Sequence, residues 1–258
     1  MKWILIALIA AVIISLSFVS TTRYGPKQMD PNTEGSFPPF AVLELFTSEG
    51  CSSCPPADNL LPQLTKLDSN IIPLSFHVDY WNRLGWEDPF SKSEFSERQR
   101  EYARQFNLEN IYTPQLVVNG EYEFIGSDKS YSESIITKAL KQKATVRLTI
   151  MNVTQNSGKL NFSVHAEGDF KNADLMAALV QKQVIMKVKA GENRGATLSH
   201  TNVVREFSMQ TASTETQFEL TIPGNILSGG WQIVVYARGK KDLKITGAVL
   251  YNPQLRPF

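Results

Sequence analysis

Phe40-Ala41-Val42-Leu43-Glu44-Leu45-Phe46-Thr47-Ser48-Glu49-Gly50-Cys51-Ser52-Ser53-Cys54-Pro55-Pro56-Ala57-Asp58 is the stretch that decides the fold. Phe40 to Phe46 is apolar, interrupted only by Glu44, and short enough for a buried strand. From Pro55 to Leu67 the apolar residues Leu60, Leu61, Leu64 and Leu67 recur at helical spacing, with prolines tolerated in the first turn. Between strand and helix stand Cys51 and Cys54, the only two cysteines of the chain. Three residues apart, they can close a small disulfide loop. Cys51 would lie at a helix N-terminus, where unpaired backbone N–H groups and the helix dipole favour a thiolate over a thiol. No second C-x-x-C completes a zinc ribbon, and no distant cysteine offers a long structural staple.

Further along, Ile71 to Val78 reads as a second buried strand, followed by the aromatic loop Asp79-Tyr80-Trp81-Asn82-Arg83-Leu84-Gly85-Trp86. Ser93 to Phe106 reads as a charged helix carrying Phe95, Tyr102 and Phe106. Gln115 to Asn119 and Tyr122 to Ile125 make a hairpin around Asn119-Gly120, a dipeptide favoured in tight primed turns. Ser130 and Glu133, at capping-box spacing, open a last helix that runs to about Gln142. The order β-α-β-α-β-β-α places the cysteines at the first strand-to-helix junction, the end of an open α/β sheet where reactive groups are displayed. After residue 143 the pattern changes. Residues 145–153, 159–166, 174–180, 184–189, 216–222, 231–237 and 246–251 read as short strands between turn signals, the pattern of a β-sandwich.

The chain therefore divides into a signal peptide or N-terminal anchor (1–22), a Pro- and Gly-rich linker (23–38), an α/β domain (39–142) and an all-β domain (143–258). Met1-Lys2 followed by the apolar run Trp3 to Val19 reads as a secretory signal. Left uncleaved, the run would attach the protein to a membrane, although it falls short of the ~20 residues that span a bilayer. Export puts the cysteines where disulfides persist. Of 258 residues 42% are hydrophobic, enough to fill a core. Lys and Arg number 26 against 25 acidic residues with no basic run, which argues against nucleic acid as a partner.

These features together resemble the thioredoxin fold in its compact glutaredoxin-like form. Thr113-Pro114-Gln115-Leu116-Val117-Val118-Asn119-Gly120 is similar to the cis-proline strand and hairpin of that fold. More narrowly, Glu44 to Asp58, His77-Val78-Asp79-Tyr80-Trp81 and Tyr112-Thr113-Pro114-Gln115 resemble a secreted bacterial thioredoxin-like family catalogued as a domain of unknown function. Gly191-Glu192-Asn193-Arg194-Gly195 and Val203-Val204-Arg205 extend the likeness over nearly the whole mature chain. The resemblance implies an α/β thioredoxin-like domain followed by an all-β, sandwich-like C-terminal domain. It implies disulfide exchange with protein thiols of the cell envelope, in the periplasm or outside the cell, with no cofactor.

On that reading Cys51 is the nucleophile and Cys54 the resolving thiol. Pro114, preceded by Thr113, faces the disulfide as a cis-proline; an ordinary trans proline at a strand start is the plainer alternative. Glu44 either shuttles the proton of Cys54 or is a hydrogen-bonded structural carboxylate. His77 and Asp79 share one face at the end of the second strand. His77 either stabilises the thiolate, joins Cys51 and Cys54 as a third ligand for Cu(I), or is a core histidine held by a hydrogen bond. Trp81, Trp86 and Tyr112 are candidates to wall a client groove. His165 and His200 have no cysteine nearby in the sequence and receive no role, and Gly191 to Gly195 lies in the wrong context for a nucleotide loop. Three chemistries thus stay open for the cysteine pair: exchange, Cu(I) handling, and a permanent disulfide on a binding module.

Overall fold

Strand β1 (Ala41–Thr47) is buried at every residue and lies near the middle of a mixed sheet. It pairs in parallel with β2 (Ile71–His77) and antiparallel with β3 (Gln115–Val118), which turns through Asn119-Gly120 into β4 (Tyr122–Ile125). Both turn residues have positive φ, 50° and 68°. Gly120 is needed there for a second reason, since a Cβ would meet the Leu243 carbonyl oxygen at 2.1 Å. Helices α1 (Pro55–Leu64), α2 (Ser93–Gln105) and α3 (Lys129–Ala139) complete a thioredoxin-like N-terminal part, with the C-x-x-C between β1 and α1. This computed structural model describes residues 37–226 and 230–255. The signal or anchor and most of the linker lie outside the described residues, among which no helix is long and apolar enough to cross a membrane.

Two helix boundaries differ from the sequence reading. α1 stops at Leu64, where the chain tightens into i→i−3 bonds, the Lys66 N–H on the Gln63 carbonyl and the Leu67 N–H on the Leu64 carbonyl, each at 3.1 Å. Leu67, expected on its buried face, is 52% exposed. α3 is capped by Asp128, whose side chain accepts from the Tyr131 N–H at 3.0 Å; Ser130 instead donates its hydroxyl to the same carboxylate.

The all-β half holds β5 (Val146–Asn156), β6 (Lys159–Gly168), β7 (Ala173–Lys187), β8 (Thr197–Thr211), β9 (Glu215–Thr221), β10 (Trp231–Gly239) and β11 (Ile245–Tyr251). The runs 174–180 and 184–189 are one strand, β7, with a bulge between Leu179 and Val180. β8 escaped the sequence reading entirely. It pairs with β7 in a long hairpin and then joins β2 in parallel at Ser75 and Val203. Ser75 donates its hydroxyl to the Thr201 carbonyl at 2.7 Å, and Asn202 donates to the Pro73 carbonyl at 3.0 Å, which seals the join. One eight-stranded sheet results, in the order β11-β10-β7-β8-β2-β1-β3-β4, beside a separate three-stranded antiparallel sheet, β5-β6-β9.

Three cores follow from the alternation of side chains across these strands. Val42, Phe46, Leu74 and Phe76 pack with Phe95 and Tyr102 of α2, and with Met176, Ala178 and Tyr236. On the opposite face of β1, Leu43 and Leu45 pack with Leu60, Leu61 and Leu64 of α1 and Ile136 of α3. The three-stranded sheet sets Leu160, Phe162 and Val164 against Leu175, Leu179, Ile233 and Val235, the sandwich of the C-terminal half.

Candidate functional site

Cys51 and Cys54 are joined as a disulfide at the start of α1. Cys54 already has helical φ and ψ, and its carbonyl accepts from the N–H groups of Ala57 and Asp58. The surroundings of the two sulfurs are unequal. Thr113 donates its hydroxyl to Cys51 Sγ at 3.2 Å, and Ser53 Oγ lies 3.3 Å from the same sulfur. Trp81 Nε1 in turn donates to Thr113 Oγ1 at 2.9 Å, which leaves the threonine proton free to point at the sulfur. The Thr113–Pro114 bond is cis. Both cysteines are 0% exposed, although Ser52 and Ser53 between them face solvent.

The tip of the β7–β8 hairpin, more than a hundred residues away in sequence, is bonded to the backbone of the cysteine loop. Asn193 Nδ2 donates to the carbonyls of Glu49 and Cys51, each at 2.9 Å, and Glu192 accepts from the Ser52 N–H at 3.1 Å. Hydrogen bonds from Ser52 hold the Glu192 carboxyl below its usual range. Gly191, at φ +74°, lets the tip pass within contact of Trp86. Asn193→Ala removes two of these hydrogen bonds, each worth about 1 kcal/mol. Reduction of the disulfide by dithiothreitol is expected to quicken about tenfold; an unchanged rate would show that the tip does not control access.

Beneath the cysteine loop lies a buried cluster of ionisable groups. Glu49 precedes Cys51 by two residues, and Asp58 stands one turn along α1 from Cys54. His200 of β8 sits between them, Nε2 3.4 Å from Glu49 Oε1 and Nδ1 3.6 Å from Asp58 Oδ1. Its ring meets that of His77 edge-on at 4.7 Å, and His77 Nδ1 is 2.7 Å from Asp88 Oδ2. Thr47 donates to Asp58 Oδ2 at 3.1 Å, Trp86 Nε1 to Glu49 Oε2 at 2.8 Å, and the Glu49 N–H to Asp88 Oδ2 at 2.8 Å. Burial alone would depress the His200 imidazolium, but the Asp58 and Glu49 carboxylates facing its two ring nitrogens push it up to about 10. Burial also works to raise the Asp88 carboxyl, yet His77 and the N–H groups of Glu49 and Phe90 hold it below its usual range. Among the described residues, the buried side-chain atoms without a hydrogen-bond partner are Glu49 Oε1, Asp58 Oδ1, His77 Nε2 and both ring nitrogens of His200.

The structure thus gathers Cys51, Cys54, Thr113, Pro114 and Trp81 at one place. It does not bring Glu44 there. Glu44 lies on the α2 face of β1, bonded to Arg98, Tyr102 and Tyr236, while the cysteines lead into α1 on the other face. His77 and Asp79 part company: Asp79 turns to Ser96 of α2, and His77 to Asp88. Among the described residues no group of three or more His, Cys, Asp or Glu side chains is arranged to hold a metal ion while the cysteines are joined as a disulfide. Tyr112 is half-buried, with its hydroxyl on Glu123 at 2.7 Å. Trp81 and Trp86 are half-buried as well and spend their indole N–H groups on Thr113 and Glu49. Sequence reasoning missed Glu49, Asp58, Asn193 and His200. Asp58 alone carried a signal, a carboxylate one helical turn from Cys54.

Residues 42–238 match the family described as "Protein of unknown function (DUF1223)". The chain belongs to the DUF1223 family. The matched span takes in the cysteine pair, the Thr113-Pro114 segment, the Asn193 tip and His200. A crystal structure of protein AGR_C_4864 from Agrobacterium tumefaciens is similar to this DUF1223 chain at 25% identity and a TM-score of 0.62, over 86% of this chain and 98% of that one. A β-glucosidase from Kluyveromyces marxianus aligns at 12% identity over 75% of this chain and 28% of its own, but a TM-score of 0.21 carries no argument. No curated protein matches the chain.

Proposed function

We propose that this DUF1223 protein is an exported thiol–disulfide oxidoreductase, exchanging disulfides with protein thiols of the cell envelope through Cys51 and Cys54. The observation that carries the reading is the unequal treatment of the two sulfurs. The Trp81–Thr113 pair aims a hydroxyl proton at Cys51 Sγ, at the N-terminus of α1, where a thiolate is favoured twice over. A bridge that serves only to hold the chain has no use for a donor on one sulfur, and a loop this short gains little as a staple.

Exchange then runs in two steps, with Cys51 as the attacked or attacking sulfur. When the reduced protein meets a client disulfide, Cys51 Sγ attacks one client sulfur, and the other leaves with the bonding electron pair. Cys54 Sγ next attacks Cys51 Sγ and displaces the first client sulfur as a thiolate. The client gains two electrons, the Cys51–Cys54 bond forms, and no cofactor takes part. Run backwards, the same steps oxidise a client dithiol. The N-terminal apolar run supports export, and its retention would attach the body of the protein to a membrane.

The zero exposure of both sulfurs favours one other reading, a binding module closed by a permanent bridge. Equilibrating the purified protein in glutathione buffers, with thiols counted by alkylation and mass, separates the two. Exchange predicts reversible reduction at a potential between roughly −120 and −270 mV. A disulfide that stays closed in every buffer would leave the binding module.

A further inference from the structure

Cys54 must lose a proton before it can attack, and the sulfur is 0% exposed, so bulk water does not reach it directly. The ionisable side chains on its own face of β1 and α1 decide where that proton goes. Cys54 and Asp58 are four residues apart in helical backbone, joined by the Asp58 N–H to the Cys54 carbonyl at 3.1 Å. That spacing stacks the two side chains on one face, roughly 5–6 Å apart at Cβ. Asp58 is 4% exposed; Thr47 occupies its Oδ2, and its Oδ1 has no hydrogen-bond partner. Glu44 is spent on Arg98 across the sheet, and His77 is engaged by Asp88.

We propose, building on the exchange reading, that Asp58 Oδ1 accepts the proton of Cys54 in the resolving step, and that His200 is the positioning residue that holds Asp58 for it. The Cys54 S–H bond breaks towards Asp58, and the sulfur attacks Cys51 Sγ with the electron pair left behind. The new sulfur–sulfur bond forms as the client leaves on its own thiolate, and that thiolate or solvent later takes the proton from Asp58. At 3.6 Å the His200 ring is beyond a hydrogen bond, so it acts on Asp58 by charge rather than as a link in a proton chain. The groups that face this pair are Thr47 from β1, Glu49 from the cysteine loop and His77 from β2, with Asp88 behind His77. Because Asp58 and Glu49 hold the His200 imidazolium up to about 10, its charge does not change between pH 5 and about 9. β8 therefore supplies to the thioredoxin-like part a fixed positive charge that the C-x-x-C segment lacks.

The test is stopped-flow reaction of the reduced protein with Ellman's reagent, an aromatic disulfide that releases one coloured thiolate when Cys51 attacks and a second when Cys54 resolves. Asp58→Asn keeps the shape and the Thr47 contact. It is expected to leave the first phase within about twofold and to slow the second about 100-fold near pH 6.5, as loss of a general base does. The deficit should shrink as the pH rises and hydroxide can take the thiol proton in place of Asp58. His200→Gln should slow the second phase about tenfold with the same pH dependence. Equal slowing of both phases, or an unaltered second phase in Asp58→Asn at every pH, overturns the assignment. A wild-type protein that releases no second thiolate overturns the exchange reading instead, and the role of Asp58 with it.

Discussion

Replacing Arg98 by Met lowers the unfolding free energy by about 3–5 kcal/mol at neutral pH, read as a fall in the urea midpoint at unchanged slope. Arg98 and Glu44 form a buried ion pair, side chains 4% and 0% exposed, with Nε at 2.9 Å and Nη2 at 2.6 Å from one carboxylate oxygen. The Tyr236 hydroxyl donates to that oxygen at 3.0 Å, and Tyr102 donates to the other. Phe76, Phe207, Tyr102 and Tyr236 surround the guanidinium with their rings. Burial opposes the guanidinium charge, and Glu44 more than offsets it. Met fills most of the arginine stem, so the expected loss comes from the carboxylate left without its cation and not from a cavity. Leu at 44 together with Met at 98 should therefore regain more than half, because the pair as a whole cost a great deal to desolvate. The two tyrosine hydroxyls then lack Glu44, and each withholds about 1 kcal/mol of the recovery. A single-substitution cost under about 1 kcal/mol would show that water reaches Glu44 after all.

The same residues show what the sequence could reveal and what it could not. Local signals wrote the thioredoxin-like part: an apolar run for β1, prolines at the start of α1, and Asn119-Gly120 for the β3–β4 turn. Glu44 was visible as an anomaly, but which face of the strand it would occupy relative to the cysteines depends on where α1 and α2 pack. Its partners Arg98 and Tyr236 lie 54 and 192 residues away. β8 was illegible for a related reason. Thr197-Leu198-Ser199-His200-Thr201-Asn202 alternates weakly and is rich in polar residues, which reads as loop. Of those polar residues His200 and Asn202 are buried, because β2, the cysteine loop and α1 supply partners: Asn202 bonds to Pro73, and His200 reaches Glu49 and Asp58. A histidine with no role in the linear reading thus becomes the centre of the site. The Gly191–Gly195 segment, rejected as a nucleotide loop, supplies the tip that is bonded to the cysteine loop.

His200→Gln should change how stability depends on pH even in the oxidised protein, where no thiol titrates. An unfolded histidine takes its proton near pH 6.5, whereas His200 in the fold holds it up to about 10. A group raised in this way stabilises the fold fully below about pH 6.5, and the contribution is lost as pH climbs through 10. Between those limits the folded state carries one more proton than the unfolded, so this histidine makes stability fall by about 1.4 kcal/mol per pH unit. Gln keeps the volume and can still donate to one carboxylate, but it has no charge. The wild-type excess over the variant should be largest near pH 6, on the order of 3–5 kcal/mol, and should vanish near pH 10. Urea midpoints for both proteins at each pH unit from 6 to 10 measure it. Groups that do not face His200 cancel in the difference, Tyr80 among them, which titrates only at about 12. Parallel stability curves would mean that His200 is neutral in the fold, and Asp58 would then lack the fixed charge that sets it apart from an ordinary buried carboxylate. Converging curves would place one positive charge under the cysteine loop by a measurement that owes nothing to disulfide exchange. They would also give β8 a role at the site: Glu49 and Asp58 lie at the two ends of the C-x-x-C segment, and the histidine that β8 carries stands between them.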